Sequence, residues 1–253
     1  ACAVGALCRR PRKRVRNSRR LWLKKRPVAK PSVSIVICTF NRAAFLKALI
    51  ESIEREWTDR LDAELIVVDN NCTDDTPALV ASFKGRTPEP RHIVETKQGL
   101  SHARNAGAEA ATKDYILYLD DDAKLTDAYL ERLEVVLRRF QPDLFGGPVL
   151  PMFDRPLPPW FNPQSEVRQF EPISGFTKTG SVSGGNFGIR RDLVARLGGF
   201  NTALGMTGDT QAFGEDREMV ERYRQRTPAK DQKIYYAVEL PILHYTMPYK
   251  LDL

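Results

Sequence analysis

Three consecutive aspartates, Asp120–Asp122, are the residues whose type and spacing most directly indicate chemistry. They follow the apolar run Tyr115–Leu119, which predicts a buried strand, and precede Ala123–Asp127, which predicts a loop leading into a helix. Crowded carboxylates at a strand end repel one another and lose hydration, so a cation or hydrogen-bond donors must compensate. The cluster indicates a hard divalent cation, Mg²⁺ or Mn²⁺, bridging carboxylates to phosphate. The alternative is a solvated acidic turn that caps the next helix at Thr126 or Asp127.

Two other predicted strands, Val33–Cys38 and Leu65–Asp69, also end in polar side chains. The polar residues at these ends are Thr39, Asn41, Arg42 and Asp69. Open parallel sheets bind ligands beyond the carboxyl ends of their strands. Asn and Asp are common in turns for local reasons, but three polar strand ends together favour a nucleotide diphosphate with a metal. Asp69 suits a base or ribose, and Arg42 suits a phosphate.

A predicted helix, Leu100–Thr112, precedes the acidic strand. Gly99 permits a close approach of a ligand to the backbone, and Ser101 can cap the helix. Arg104 and Asn105 near its start indicate contacts with phosphate or base edges. The alternative is that both side chains tie the helix to neighbouring loops.

Two further candidates lie later in the chain. Glu215 and Asp216 begin a predicted helix, Glu215–Arg226. A helix N-terminus stabilises an ionised carboxylate, which suits a general base, although a simple capping acid would have the same sequence. His244 is one of three histidines; a lone histidine is more often a packed side chain, and a metal role requires that it face Asp122.

The elements that must position these residues change character along the chain. Strands alternate with helices over residues 32–147, which predicts a mostly parallel, doubly wound sheet in a nucleotide-binding half. Residues 148–253 form a predicted acceptor half. Its first part, Pro148–Pro172, holds seven prolines among aromatics and predicts an irregular, partly mobile segment. We expect one domain, 32–253, truncated at its C-terminus.

The composition limits the classes of protein to which the chain can belong. The chain is 42% hydrophobic and 28% charged, as in ordinary globular proteins. Its apolar runs are all far shorter than the roughly 20 residues that cross a bilayer. Four cysteines without a Cys-x-x-Cys pair fit a reducing cytoplasm and imply neither zinc nor disulfides.

The excess positive charge lies at the front of the chain. Residues 1–50 contain 14 Lys or Arg and no acid, so the remaining 25 basic residues face 32 acidic ones, a net charge of −7. Residues 1–31 therefore predict a basic, disordered tail. A solvated tail is the first interpretation, ahead of peripheral contact with anionic lipid through Leu21–Leu23, with nucleic acid third. The folded part is not expected to bind a specific nucleic acid.

Six motifs, in order over roughly residues 32–246, together resemble the family-2 glycosyltransferases. They are Val33–Arg42, Val67–Asp74, Gly99–Gly107, Leu119–Asp122, Gly184–Asn186 and Gly214–Asp216. One such motif would be weak evidence, whereas six in order are specific. The resemblance implies a single Rossmann-like α/β domain of the A-type nucleotide-diphospho-sugar transferase fold. It also implies an inverting, metal-dependent enzyme.

The resemblance implies a role for each matching residue. The nucleotide and donor sugar would be bound by Thr39, Asn41, Arg42, Asp69, Gly99, Arg104, Asn105, Asp120, Asp121, Gly185 and Asn186, with Asp69 on uracil or an equivalent base. Asp122 would coordinate the metal, Mn²⁺ or Mg²⁺, and His244 would lie near it and the diphosphate. Glu215 would position the acceptor, and Asp216 would deprotonate its hydroxyl. The sequence Asp69-Asn70-Asn71 departs from the paired acids common in the family, which leaves the nucleotide preference open.

The expected function is transfer of a sugar from a nucleotide-diphospho-sugar, with UDP as the expected nucleotide, to a carbohydrate or lipid-linked acceptor. Its expected setting is synthesis of a cell-surface or exported polysaccharide, in the cytoplasm or at the inner face of the cell membrane; this rests on the resemblance alone. A metal-dependent nucleotidyltransferase is one alternative, and it would not need Glu215 and Asp216. A catalytically inactive nucleotide-sugar-binding protein is another.

Overall fold

The computed structural model describes residues 29–207 and 213–252. The predicted basic tail, with its apolar triplet Leu21–Leu23, lies outside the described residues except for residues 29–31. Within the described ranges, no helix has both the length and the apolar composition needed to cross a bilayer.

The first half alternates strands and helices, as its sequence predicts. Its elements are β1 (Ser32–Thr39), α1 (Ala43–Glu56), β2 (Asp62–Asp69), α2 (Thr76–Ser82), β3 (Pro90–Val94), α3 (Leu100–Ala110), β4 (Tyr115–Asp120), β5 (Ala123–Leu125) and α4 (Tyr129–Phe140). β-Branched residues dominate β1 because such side chains pack well on a pleated surface covered on both faces.

The second half contains shorter elements. They are β6 (Leu144–Gly146), β7 (Val149–Met152), β8 (Gly175–Phe176), β9 (Asn186–Arg190), α5 (Arg191–Leu197), α6 (Glu215–Arg226), β10 (Ile234–Tyr236) and β11 (Ile242–Tyr245). The proline-rich segment is irregular apart from β7 and a 3-10 turn at Pro163–Glu166.

Eight strands form the central sheet in the order β3-β2-β1-β4-β9-β6-β10-β8. The four strands β3, β2, β1 and β4 are parallel, and β9 runs antiparallel between β4 and β6. Thr39 lies opposite Asp69 on β2, and Cys38 lies opposite Asp120 on β4. The parallel register therefore brings three polar strand ends to one edge of the sheet.

A second sheet, in the order β5-β11-β7, closes over this edge. Its middle strand pairs His244 with Ala123 and with Pro151. The prediction that the residues after Asp122 form only a loop is wrong, because Ala123 and Leu125 are buried and pair with β11. The sequence did not show this strand because its partner lies over a hundred residues away.

Helices cover both faces of the central sheet. Val33, Ile35 and Ile37 of β1 pack in a cluster with α1, α2 and α4. Val36, between them, packs in the opposite cluster with α3, α5 and α6. This alternation follows from the two-residue period of a strand, and it places β1 between two apolar layers.

Candidate active site

The acidic triplet lies at the end of β4, against the end of β1. Asp121 and Asp122 are 6% exposed each. The Thr39 hydroxyl donates a 2.8 Å hydrogen bond to Asp121 Oδ2. Arg42 Nη1, from the turn after β1, lies 3.3 Å from Asp121 Oδ1 and 3.0 Å from Asp122 Oδ2. The polar ends of β1 and β4 therefore lie close together, as predicted.

Asp120, Asp122 and His244 form a cluster in which one ligand atom of each lies within 4.8 Å of the others. His244 Nε2 is 3.1 Å from Asp122 Oδ1 and 3.5 Å from Asp120 Oδ2. Asp122 Oδ1 is buried and makes no hydrogen bond among the described residues. Buried acceptors are normally satisfied, so this oxygen indicates a missing partner. Carboxylates and imidazole are both ligands of divalent cations in proteins, so the residues present fit such an ion.

Burial dominates the electrostatics of Asp121. Together with the neighbouring Asp122 and Asp120 carboxylates, it raises the pKa of Asp121 to about 7. Arg42 and the Thr39 hydroxyl act in the opposite direction without overcoming it. The charged form of Asp121 is therefore disfavoured unless a cation is present.

Asp120 and His244 stabilise one another as an ion pair. Burial favours the neutral form of Asp120, but its hydrogen bond with His244 and the charge of Arg104 lower the pKa to about 2. Burial likewise lowers the pKa of His244, yet Asp120 and Asp122 outweigh it and raise that pKa. Arg168, which the sequence analysis did not single out, acts electrostatically on both groups. Its only sequence signal was a basic residue in the proline-rich segment.

Arg104 connects the acidic triplet to the start of α6. Its buried guanidinium donates a 2.5 Å hydrogen bond from Nη1 to Glu215 Oε1. Nη2 donates to the Gly184 carbonyl at 3.2 Å and lies 3.7 Å from Asp120 Oδ1. Burial lowers the pKa of Arg104, but the Glu215 and Asp120 charges outweigh it and raise that pKa. The structure thus makes Arg104 and Glu215 one buried ion pair that holds both sides of the site.

The Gly184–Gly185 turn separates Asp120 from Asp216. A Cβ added at Gly185 would lie 2.5 Å from Asp120 Oδ2, and one added at Gly184 would lie 3.0 Å from Asp216 Oδ2. The Gly184 N–H donates a 2.6 Å hydrogen bond to Asp216 Oδ2. Two glycines at this turn therefore permit the acids of β4 and α6 to lie on either side of one backbone segment.

Asp69, at the end of β2, lies farther along the same edge. Its Oδ1 accepts a 2.7 Å hydrogen bond from the Cys72 N–H, and its Oδ2 lies 3.2 Å from His92 Nε2. Asn41, with φ of 52°, accepts a 2.7 Å hydrogen bond from the Thr73 N–H and joins the two turns. His92 is a contact that was not predicted from the sequence; it lies on β3, the strand that pairs with β2.

Three other predicted site residues are engaged in the scaffold. Gly99, with φ of 139°, donates its N–H to Asn70 Oδ1 at 2.8 Å and precedes α3. Asn105 exchanges two hydrogen bonds with the Phe200 backbone. Asn186 is fully buried, accepting from the Tyr129 hydroxyl and donating to the Leu240 carbonyl. Their assignment to nucleotide or donor sugar stays a prediction.

The prediction that Ser101 caps α3 is wrong. Gly99 occupies the cap position, no side chain caps the helix, and the Ser101 hydroxyl instead donates to the Leu204 carbonyl at 2.7 Å. The hydroxyl faces this loop because Ser101 is already inside the first helical turn.

The sequence of residues 34–198, more than half of the chain, matches the family model of glycosyl transferase family 2. The chain therefore belongs to this family. The match covers β1 to α5 and so includes the acidic triplet and the glycine turn. The family expected from the six motifs is confirmed.

Characterised relatives differ in how much of their length is matched. Glucosyl-dolichyl phosphate glucuronosyltransferase of Haloferax volcanii is 24% identical over 233 residues, which cover 87% of this chain and 71% of the relative. GalNAc(5)-diNAcBac-PP-undecaprenol beta-1,3-glucosyltransferase of Campylobacter jejuni is 32% identical over 119 residues, covering 46% of this chain and 38% of the relative. The chain thus spans well under half of the Campylobacter protein.

A solved structure shares the fold. S. aureus TarS 1–349 in complex with UDP-GlcNAc matches with a TM-score of 0.64 at 15% identity, covering 85% of this chain and 59% of that one. At this identity the likeness concerns the fold. It confirms the predicted single α/β domain with a mostly parallel central sheet.

Proposed function

We propose that the chain is an inverting glycosyltransferase that moves a hexosyl group from a nucleotide-diphospho-sugar, with UDP as the expected nucleotide, to an acceptor hydroxyl. One observation carries the proposal: the Asp120–Asp122 cluster and Asp216 lie on either side of the Gly184–Gly185 turn. Donor and acceptor chemistry can therefore meet at one edge of the sheet.

The donor is proposed to lie along the strand ends. Asp69, with both oxygens already oriented by Cys72 and His92, suits the base end. The acidic triplet suits the diphosphate end when a cation is present. Mn²⁺ or Mg²⁺ held by Asp120, Asp122 and His244 would act as a Lewis acid toward the departing diphosphate.

Asp216 is proposed as the general base. An alcohol attacks an anomeric carbon efficiently only when a base removes its proton during attack. Asp216 lies in the first turn of α6, and its carboxylate is oriented by the N–H groups of Gly184 and Arg217 at 2.6 and 2.7 Å. Those two donors hold the carboxylate beside the turn that separates it from Asp120. One base and no covalent nucleophile give attack opposite the leaving group, and hence inversion.

Glu215 cannot serve as a second base while it is paired with Arg104. We assign it instead to orienting Asp216, its neighbour, through that ion pair. Positioning of the acceptor by Glu215, the role that the resemblance implies, stays a prediction.

The acceptor is proposed to be carbohydrate or lipid-linked. The Haloferax relative is named for a dolichyl phosphate substrate and the Campylobacter relative for an undecaprenol diphosphate one. A setting in cell-surface or exported polysaccharide synthesis, at the inner face of the membrane, follows by analogy. Contact of the basic tail with anionic lipid belongs to the same proposal; of its residues 9–30, the structure describes only 29 and 30.

A thermal-shift screen of nucleotides and nucleotide sugars, with and without Mn²⁺, tests the donor site. UDP should raise the melting temperature only when Mn²⁺ is present, because a ligand that binds the folded state stabilises it by about 2.7 kcal/mol at a hundredfold excess over its Kd. Asp122→Asn should lose the shift, whereas Asp127→Asn, at an exposed carboxylate nearby, should keep it. The proposal fails if no nucleoside diphosphate stabilises the wild type in a metal-dependent way.

Product analysis separates the alternatives. A glycosyltransferase releases the nucleoside diphosphate, and a nucleotidyltransferase releases pyrophosphate and survives Asp216→Asn. Binding of UDP with neither transfer nor donor hydrolysis across a panel of acceptors would identify an inactive binding protein.

A further inference from the structure

Two arginines form ion pairs with the acidic triplet, and they are held differently. Arg104 is buried, and its guanidinium is fixed by Glu215, the Gly184 carbonyl and Asp120. The side chain of Arg42 is 36% exposed, and all of its hydrogen bonds to side chains go to Asp121 and Asp122. Of these two contacting arginines, Arg42 is therefore the one with freedom to leave.

The position of Arg42 gives its side chain a fixed base and a movable end. It is the residue before α1, and its carbonyl accepts a 3.0 Å hydrogen bond from the Leu46 N–H. The next N–H, of Ala43, is bonded to Asp74 Oδ2 at 3.0 Å. The backbone is thus tied at the helix start, while the long side chain reaches across to the acids.

Arg42 also engages one of the proposed metal ligands. Its Nη1 lies 3.0 Å from Asp122 Oδ2, and the other oxygen of that carboxylate faces His244 at 3.1 Å. A guanidinium on this carboxylate lowers its net negative charge and repels a divalent cation that approaches it. At the same time it offsets the repulsion among the aspartates when no cation is bound.

We propose that Arg42 is a tethered counter-ion that weakens binding of free metal, and that the diphosphate of an incoming nucleotide draws it off the aspartates. Guanidinium pairs well with phosphate oxygens, which present the same two-point acceptor geometry as a carboxylate. Movement of Arg42 to the diphosphate would release Asp122, a proposed metal ligand, to the cation. Metal and nucleotide would then bind as a coupled pair, each raising the affinity of the other by the same factor. This inference rests on the proposed nucleotide-sugar function.

The test measures bound Mn²⁺ by electron paramagnetic resonance, with and without UDP, for the wild type, Arg42→Gln and Arg42→Lys. Arg42→Gln should bind Mn²⁺ alone about tenfold more tightly, a difference of about 1.4 kcal/mol. The factor by which UDP raises the affinity for Mn²⁺ should fall about tenfold in the same variant. Arg42→Lys keeps the charge but loses the two-point donor geometry of the guanidinium. Its affinity for Mn²⁺ alone and its UDP factor should lie between those of the wild type and those of Arg42→Gln.

Lys47→Gln is the matched control, because Lys47 is an exposed cation on the same helix, paired with Glu51 at 4.0 Å. It should leave both quantities unchanged, and an effect as large as that of Arg42→Gln would overturn the inference in favour of overall charge. Unchanged or weaker binding of free Mn²⁺ in Arg42→Gln, or an undiminished UDP factor, overturns it as well. If the wild type shows no coupling between UDP and Mn²⁺ at all, the proposed function falls together with the inference.

Discussion

The two sides of the candidate active site are built in different ways. The proposed donor side consists mainly of Thr39, Asp69 and Asp120–Asp122, which neighbouring parallel strands bring together through their register. The proposed acceptor side consists of the Gly184–Gly185 turn and Asp216, which come from the segment before the antiparallel strand β9 and from the start of α6. Regular pairing positions the first set, and individual long-range contacts position the second. We therefore expect the acceptor side to be the more sensitive to small changes.

The largest expected effect on activity comes from Asp216→Asn. Loss of a general base lowers the rate by roughly 10²–10⁴-fold, whereas binding of UDP on the donor side should persist. Sugar transfer and calorimetric binding of UDP, measured on the same preparation, check this. Glu221→Gln, at an exposed carboxylate on the same helix, is the control and should retain full transfer. Equal loss of UDP binding would show that the two sides are not separable.

Arg104→Met tests the ion pair that joins the two sides. Removing one partner of a buried pair leaves an uncompensated charge on Glu215, which destabilises a protein by about 3–5 kcal/mol. The double variant Arg104→Met/Glu215→Leu should recover much of the free energy of unfolding but little of the transfer activity. Urea unfolding and transfer assays measure both. Recovery of activity in the double variant would mean that the pair serves stability alone.

Gly185→Ala tests the turn between the acids. The new Cβ would lie 2.5 Å from Asp120 Oδ2, so Asp120 or the turn must shift. We expect a loss of about 1–3 kcal/mol in the free energy of unfolding together with weaker metal-dependent UDP binding. Gly175→Ala is the control, because a Cβ there meets nothing within 4 Å. Wild-type UDP binding in Gly185→Ala would show that Asp120 is dispensable to the donor side.

The smallest expected effect is on the pH dependence of the metal-free protein. Because the pKa of Asp121 is raised to about 7 in the folded state, the folded state binds more protons than the unfolded state between pH 4 and 7. The contribution of Asp121 to stability therefore falls as pH rises through that window. Asp121→Asn should remove this part of the pH dependence. Between pH 5 and pH 8, the free energy of unfolding of the metal-free variant should therefore gain on the order of 2 kcal/mol relative to that of the wild type. Denaturant unfolding at the two pH values, in the presence of a chelator, measures it.

The difference between locally encoded elements and long-range contacts also explains which elements could be predicted from the sequence. The helix Glu215–Arg226 has the predicted bounds. The strands of the first half lie within a few residues of prediction, because their apolar periodicity is local. The strand β5 and the pairing of β11 with β5 and β7 were missed. Short strands carry little periodicity, and their partners are distant in sequence.

The contacts of individual residues also divide into those that strand pairing predicts and those that depend on tertiary packing. The proximity of Thr39 to the acidic triplet follows from parallel pairing alone. The ion pair of Arg104 with Glu215, and the contact of His92 with Asp69, depend on how helix and edge strand pack. Asn105 and Asn186 have the residue types of a binding site, yet both are hydrogen-bonded within the scaffold.

By itself, the sequence determined the alternation of strands and helices, the family, and the three acids at one strand end, since each is encoded within a few neighbouring residues. Only the tertiary structure decided that His244 faces Asp122, that one glycine turn separates Asp120 from Asp216, and that Arg42 contacts Asp121 and Asp122. These contacts join segments that are 32 to 122 residues apart, and side-chain packing across the folded domain, rather than local propensity, sets such distances.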